Sequence, residues 1–330
     1  MNALELVGLG GNPKLSIITF GDEAEWLKLR EKRIGGSDAG AILGLNKYST
    51  PLMVYKAKVE GKAKDLSDNP NVRRGKDLEE FVLTHYVQPK MKEYGFQVEK
   101  PDFMIVNSDY PYLAANLDGV ARSLTGSSVA TSILIEIKCV STFAEDAWDG
   151  DEYGGIPPYY YAQVQHYLAV TGMTKAYLVA LFDRTWTVKW YPIMRDEAFI
   201  ADMLPKLKAF YEVNMQAGVP PKAVYSLDKE SVAEIAASTP TPSEPSDEMA
   251  KLVETYKSIS ADIKALEKEK DAVMSDIFQM HSDGKFPTKG TVKYTVVKSH
   301  KFNQTKFKED NPNLYEQYCE DVETVRATIK

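Results

Sequence analysis

Apolar positions along this chain recur with two different periods, and the changes from one to the other mark out its elements. The stretches "EAEWLKLREKR", "STPLMVYKAKVEG" and "GKDLEEFVLTHYVQ" carry the three- and four-residue spacing of helices, and "GGSDAGAILG" reads as a tight turn into a short helix. "FQVEKPDFMIVN", "YLAANLDGVAR" and "SILIEIKCVS" alternate or run apolar over strand lengths, with "TGSS" as a loop between the last two. "PPYYYAQVQHYLAVTG" opens on two prolines and closes on Gly172, the punctuation of a helix. "KAYLVALFD" and "WTVKWYPI" predict two more strands, and "RDEAFIADMLPKLKAFYEVNMQAG" a closing helix. No internal repeat is present. Helices and strands mixed in this order predict an α/β domain around a mixed central sheet.

The periodic pattern stops at "STPTPSEPSD", residues 238–247, too poor in apolar side chains to pack. Three segments are therefore expected: a domain over 1–237, a Pro/Ser/Thr linker over 238–247 and an extension over 248–330. Beyond the linker Met249, Leu252, Tyr256, Ile259, Ile263, Leu266, Val273, Ile277 and Met280 follow a heptad spacing that Lys270 interrupts. A helix from Asp247 to about His281 is predicted, started by Ser246 with acids in its first turn and stopped near Gly284. Its stripe needs cover, from the chain's own segment "NPNLYEQYCEDVETV" or from another subunit or protein. Thr291–Ser299 reads as a strand.

Composition narrows the classes. Over 330 residues the chain is 44% hydrophobic and 26% charged, which is ordinary globular material. The N-terminus lacks the basic and apolar regions of a signal peptide, and the longest apolar run is too short to span a bilayer, so an unexported, cytoplasmic protein is expected. Cys139 and Cys319 form no paired motif, which excludes a disulfide framework or a cysteine-ligated metal centre. A net charge of −7 excludes a generally basic surface. Charge is segregated, however. Residues 285–308 hold seven lysines and no acid, among them Lys285, Lys289, Lys293, Lys298 and Lys301, with four interleaved aromatics. Such a segment suits a phosphate backbone with stackable bases, and equally a lysine-protected edge strand.

The chemistry concentrates in "ILIEIKCVS". Along a strand Leu134, Glu136 and Lys138 share one face, and burying two charges there costs several kcal/mol per ion unless something compensates. That face is either wet or holds a site. Asp118 lies at the end of the preceding strand with 17 residues between it and Glu136, a spacing that fits two neighbouring strands joined by a loop. Two carboxylates brought together repel unless a divalent cation lies between them, and Mg²⁺ takes oxygen ligands of this kind. Lys138 then faces the same spot, able to orient the attacking water, help deprotonate it, or neutralise charge on a phosphoryl group. Against this stands the ordinary behaviour of Glu-x-Lys as a solvated strand face and of Asp-Gly as a hairpin turn.

Asp118 followed by Glu136-x-Lys138 resembles the PD-(D/E)xK nuclease superfamily. The stretches "RIGGSDAGAILGLNKYSTPLMVY", "RRGKDLEEFV", "NLDGV", "LIEIKCVS" and "PPYYYAQVQHYLAVTG", over roughly residues 22–220, resemble the YqaJ-like viral recombinase family, which includes lambda-type exonuclease. The resemblance implies a restriction-endonuclease-like core, with helices flanking the mixed sheet and a long-helix and strand extension after it. It implies that Asp118, Glu136 and the backbone carbonyl of Ile137 bind Mg²⁺, with Mn²⁺ able to substitute, that Glu79 completes the site directly or through water, and that Lys138 is the catalytic lysine. Glu80 is the less favoured acid by register. Gln163 matches the glutamine that approaches the attacking water; Gln165 and Tyr167 match less well. Asn116 and Leu117 depart from the residues usual before Asp-Gly.

In "WLKLREKRIGGSDAG" an Arg and a Ser at a helix N-terminus suit an anion, and the resemblance gives Arg30 and Ser37, with Arg33 as runner-up, the 5′-phosphate of the digested strand. By the residues alone the preferred reading is Ser37 as an N-cap and Arg30 as a surface group. His85, His166, His281 and His300 have no ligand spacing. Tyr159, Tyr160 and Tyr161 are expected to pack beside the sheet. The implied protein is a phage or prophage 5′-to-3′ exonuclease on linear double-stranded DNA that leaves 3′ overhangs for a single-strand annealing protein, a trimer by resemblance. The alternatives are a metal-dependent endonuclease and a non-catalytic DNA-binding or scaffolding protein.

Overall fold

A computed structural model describes residues 3–63, 68–124, 132–148, 150, 152–238, 246–282 and 298–319. The chain divides into two units, Met1–Val232 and Ala233–Lys330. In the first, α1 (Ala3–Leu6) and β1 (Leu15–Ile18) precede four helices: α2 (Glu23–Glu31), α3 (Gly36–Ile42), α4 (Pro51–Val59) and α5 (Pro70–Val82). A π turn, Leu83–Val87, leads from α5 into α6 (Gln88–Glu93). Strands β2 (Phe96–Glu99), β3 (Met104–Asn107), β4 (Tyr110–Ala115), β5 (Gly119–Ser123) and β6 (Ile133–Val140) follow. Then come α7 (Pro158–Thr171), β7 (Lys175–Phe182), β8 (Thr187–Met194) and α8 (Glu197–Ala209), which continues as a π segment to Gln216. After these the sequence pattern gave no sign of α9 (Lys229–Ser238).

Two sheets form where one was expected. The larger has the order β2-β5-β6-β7-β8 and is mixed, since only β6 and β7 run parallel; β1, β3 and β4 form a second, antiparallel sheet. The predicted strand "FQVEKPDFMIVN" is thus two strands in different sheets, parted around Pro101, whose missing N–H cannot serve a ladder. "YLAANLDGVAR" is likewise broken at Asn116–Asp118, with β4 in the small sheet and β5 in the large one.

The faces of β6 are the predicted ones. Ile133, Ile135 and Ile137 pack with Val179 and Leu181 against Val82, Leu83, Val87 and Met91 of the α5–α6 side. Leu134 joins Leu178, Ala180, Val164 and Leu168 in the other core. Each such side chain contributes roughly 1.5–3 kcal/mol by burial. Glu136 shares the face of Leu134 and is 1% exposed, so this face is not wet. The parallel step from β6 to β7 needs a long crossover, and α7 lies within it, started by Pro158 and ended by Gly172 at φ 77°.

In the second unit α10 (Asp247–Ser282) matches the predicted long helix; its 36 residues span about 54 Å. Met249 N donates to the Ser246 hydroxyl, the expected cap. The heptad stripe remains exposed, Leu252 at 59% and Leu266 at 63%, so the described part of the Asn311–Val325 segment does not cover it. That part forms α12 (Pro312–Gln317), after α11 (Gln304–Asp310). The expected strand Thr291–Ser299 lies outside the described residues up to 297, and Lys298 and Ser299 are not in a strand. The "TGSS" loop, Gly284, the linker's 239–245, Lys285, Lys289 and Lys293 also lie outside the described residues.

Candidate active site

The break between β4 and β5 is what places the first carboxylate. Gly119 pairs with Ile135 in the antiparallel β5–β6 ladder, so Asp118, one residue earlier, comes level with Glu136. Asp118 Oδ2 accepts from Ile137 N at 2.8 Å, which pins the carboxylate to the strand that carries Glu136. The Asp-Gly pair is therefore no hairpin turn.

Burial, then the charges of Glu136 and Glu79, push the Asp118 carboxyl well above its ordinary range. Burial raises the Glu136 carboxyl too, against the opposing pull of Lys138. Lys138 donates to Glu136 Oε1. Burial would lower the Lys138 ammonium's pKa, but the Glu136 and Asp118 charges outweigh it and raise it. Glu136 Oε2 and Asn116 Oδ1 are buried with no hydrogen-bond partner.

A divalent cation fits this donor set. It would relieve two mutually repelling carboxylates and engage the orphaned Glu136 oxygen. Among the described residues no group of three or more His, Cys, Asp or Glu stands ready-assembled around one point. Glu79 Oε1 accepts from Lys100 Nζ at 2.8 Å, and its charge adds to the upward push on both Asp118 and Glu136. Glu80 also pairs with Lys100, at 3.6 Å.

Helix α7 supplies the opposite wall. Gln163 Nε2 donates to Glu136 Oε1 at 2.6 Å and to the Tyr167 hydroxyl at 3.3 Å. Gln165, two residues on, points away, donating to Met194 O and accepting from Asp196 N. His166 is fully buried against Ile34 O, a structural histidine. Tyr160 packs against the core as expected, and its ring also faces the Lys138 ammonium, 5.1 Å from its centroid. Three tyrosines in a row gave no signal of which one would face the lysine.

The N-terminal motif meets the same place. A cavity of about 180 Å³ is lined by Arg30, Arg33, Gly36 and Ser37 together with Asp118 and Gln163. Arg30 Nη2 donates to Ser37 Oγ, and its guanidinium lies 5.2 Å from the Trp26 ring centroid. Arg33 Nε is buried without a partner, a donor left over. Ser37 is not the N-cap of α3; Gly35 is, with Asp38 Oδ2 accepting from its N–H at 2.8 Å. At seven residues α3 is too short for its dipole to be the main attraction, so the side chains carry the affinity for an anion.

Gly36 keeps the cavity walls together. A Cβ there would lie 2.5 Å from the Tyr167 ring and 3.0 Å from Gln163 Cγ. Gly36→Ala is expected to displace the Gln163–Tyr167 pair, lowering stability by about 1–3 kcal/mol and impairing activity beyond that loss. A variant that melts and works like the wild type would disprove it.

Comparison with known proteins agrees with the sequence motifs. Residues 25–174 match the YqaJ-like viral recombinase domain. The protein YqaJ of Bacillus subtilis (strain 168) is 28% identical over 318 residues, 93% of each chain. An alkaline exonuclease from Laribacter hongkongensis is 22% identical with a TM-score of 0.46, over 66% of this chain and 100% of its own. A phage-related exonuclease from Haemophilus somnus 129PT is 13% identical with a TM-score of 0.43, over 59% of this chain and 100% of its own.

Proposed function

We propose, from the match of residues 25–174 to the YqaJ-like viral recombinase domain, that this chain is a divalent-metal-dependent deoxyribonuclease, a 5′-to-3′ exonuclease on linear duplex DNA with Mg²⁺ as its ion. The observation that carries this reading is the single cavity wall shared by the end-holding candidates Arg30, Arg33 and Ser37 with Asp118 and Gln163. Asp118, Glu136 and the Ile137 carbonyl would hold the ion, with Glu79 completing the set directly or through water. When bound, the ion supplies the Lewis acidity that phosphodiester hydrolysis needs.

The chain's own groups do the rest. Lys138, fixed between Glu136 and the Tyr160 ring, presents positive charge to the phosphoryl oxygen on which charge builds. Gln163, anchored through its Nε2, keeps its amide carbonyl to orient the attacking water. Arg30, Ser37 and the spare Arg33 N–H grip a terminal phosphate. The product would be a 3′ overhang suited to a single-strand annealing protein, in a phage or prophage setting within the bacterial cytoplasm. None of the described helices is long and apolar enough to cross a membrane.

Digestion of 5′-phosphorylated linear duplex beside covalently closed circular DNA, with Mg²⁺ and with chelator, tests the proposal. Loss of the linear substrate alone, only with the ion, is expected. Cutting of the circle would make the protein an endonuclease, and no digestion of either would favour a DNA-binding or scaffolding role. In this reading the nuclease domain occupies 1–237, and the exposed Lys298 and Lys301 of the extension, with Lys285, Lys289 and Lys293, add phosphate contacts. Deleting 248–330 should lower the slope of log affinity against log salt by about one per lost contact. An unchanged slope would assign the extension to assembly instead.

A further inference from the structure

Lys58, near the end of α4, is a lysine with a 7% exposed side chain, a rare placement unless every donor is used. Here three bonds are made. Its Nζ donates to Arg30 O at 3.0 Å, to Arg33 O at 2.8 Å and to Asp38 Oδ2 at 2.8 Å. The first acceptor is a carbonyl in the last turn of α2 that also accepts from Arg33 N at 3.3 Å, and the second lies two residues beyond that helix. The third belongs to the carboxylate that caps α3 through Gly35 N. Asp38 Oδ1 in turn lies 3.9 Å from Arg30 Nη2.

One ammonium thus ties the end of the helix that bears Arg30 to the start of the helix that bears Ser37. Arg30 also bridges the turn directly, to Ser37 Oγ and toward Asp38, and Lys58 adds a second tie from a third helix. Lys58 itself does not line the cavity.

We propose that Lys58 is the positioning residue of the phosphate-gripping turn, setting the separation of Arg30, Arg33 and Ser37 so that the protein distinguishes a 5′-phosphorylated DNA end from a 5′-hydroxyl one. The inference rests on the end-holding role proposed above. A buried ion pair with fully used donors contributes little net stability, but it fixes one arrangement of the groups around it. Without the ammonium, the Arg30 and Arg33 carbonyls and the Asp38 carboxylate lose their common partner. Arg30 is then free to fold onto Asp38 and away from the ligand.

The test uses the full chain and short linear duplexes ending in 5′-phosphate or 5′-hydroxyl. Binding is measured by fluorescence anisotropy in chelator, digestion with Mg²⁺, and folding by thermal melting. The wild type should prefer the phosphorylated end in Kd. Lys58→Met should reduce that preference about tenfold, the loss of roughly one charge-assisted contact, and should raise KM on the phosphorylated duplex while kcat falls less than KM rises. Asp38→Asn, which keeps an acceptor for Gly35 N, should give a smaller loss, and the double variant should lose no more than Lys58→Met alone.

Should Lys58→Met fail to fold, Lys58→Gln, whose amide can still serve one carbonyl, carries the same expectation. A folded Lys58 variant with wild-type end preference would overturn the proposal, as would a fall in kcat with KM unchanged. A wild type indifferent to the end group would defeat the end-holding role itself, a separate result visible before any variant is made.

Discussion

Lys138→Met should lower the rate of linear-duplex digestion at saturating DNA by about 10²–10³-fold while leaving DNA affinity within about twofold. The side chain is 19% exposed and its ammonium is spent on Glu136 and the Tyr160 ring, so it contributes no free surface charge to long-range DNA attraction. Its contribution is confined to the reacting phosphate, where a charge that strengthens in the transition state acts on kcat and not on ground-state binding. Lys138→Arg keeps the charge but replaces a point donor with a planar fork that the space between Glu136 and Tyr160 is not shaped for, so partial recovery at best is expected. Single-turnover digestion with Mg²⁺, beside anisotropy binding in chelator, separates the two effects. Equal losses in both would make Lys138 a binding residue, and retained turnover would remove it from the chemistry.

The strand of the candidate site was legible because its charges break a rule. Period-two alternation alone placed Glu136 and Lys138 on the face of Leu134, and the two cores on either side of β6 confirm that face. Asp118 was legible through spacing, since antiparallel neighbours with a loop between them return to register. What the pattern concealed was the change of sheet at Asn116–Asp118 and around Pro101, because a chain passing from one sheet to another stays extended and keeps its alternation.

Lys58 was invisible for a different reason. In "YKAKVEG" it reads as one of two lysines on an amphipathic helix, and only the approach of α2 and α3 in space shows that one of them is buried. The pairing of Glu79 with Lys100 was equally out of reach, as it depends on how α5 meets the segment after β2. Motif spacing thus pointed to the groups proposed to act on substrate, whereas the groups that hold them in place came only with tertiary contacts.

Asp118→Asn should raise the melting temperature of the metal-free protein and abolish its response to Mg²⁺. The Asp118 carboxyl is held well above its ordinary range by burial and by the Glu136 and Glu79 charges. A carboxyl whose folded pKa exceeds its unfolded one binds more protons folded than unfolded. The stability it contributes is therefore full below about pH 4 and is lost as pH rises through the folded value. Above that range the carboxyl is a cost to the fold, relieved only by Lys138 and the Ile137 N–H. Asparagine keeps an oxygen for that N–H and sheds the charge, so each kcal/mol recovered should appear as about 2–4 °C in a unit of this size. Mg²⁺ binds the folded wild type and not the unfolded chain, so it should lift the wild-type melt in proportion to the logarithm of its concentration. The two effects together invert the order of stability: the variant melts above the wild type in chelator and below it in millimolar Mg²⁺. Lys138→Met, which removes the relieving cation, should move the chelator melt the other way. Melting curves at pH 8 with chelator and across a Mg²⁺ series decide the matter, and an Asp118→Asn protein that melts lower than wild type in chelator, or gains as much from Mg²⁺, would remove Asp118 from the ion's ligands.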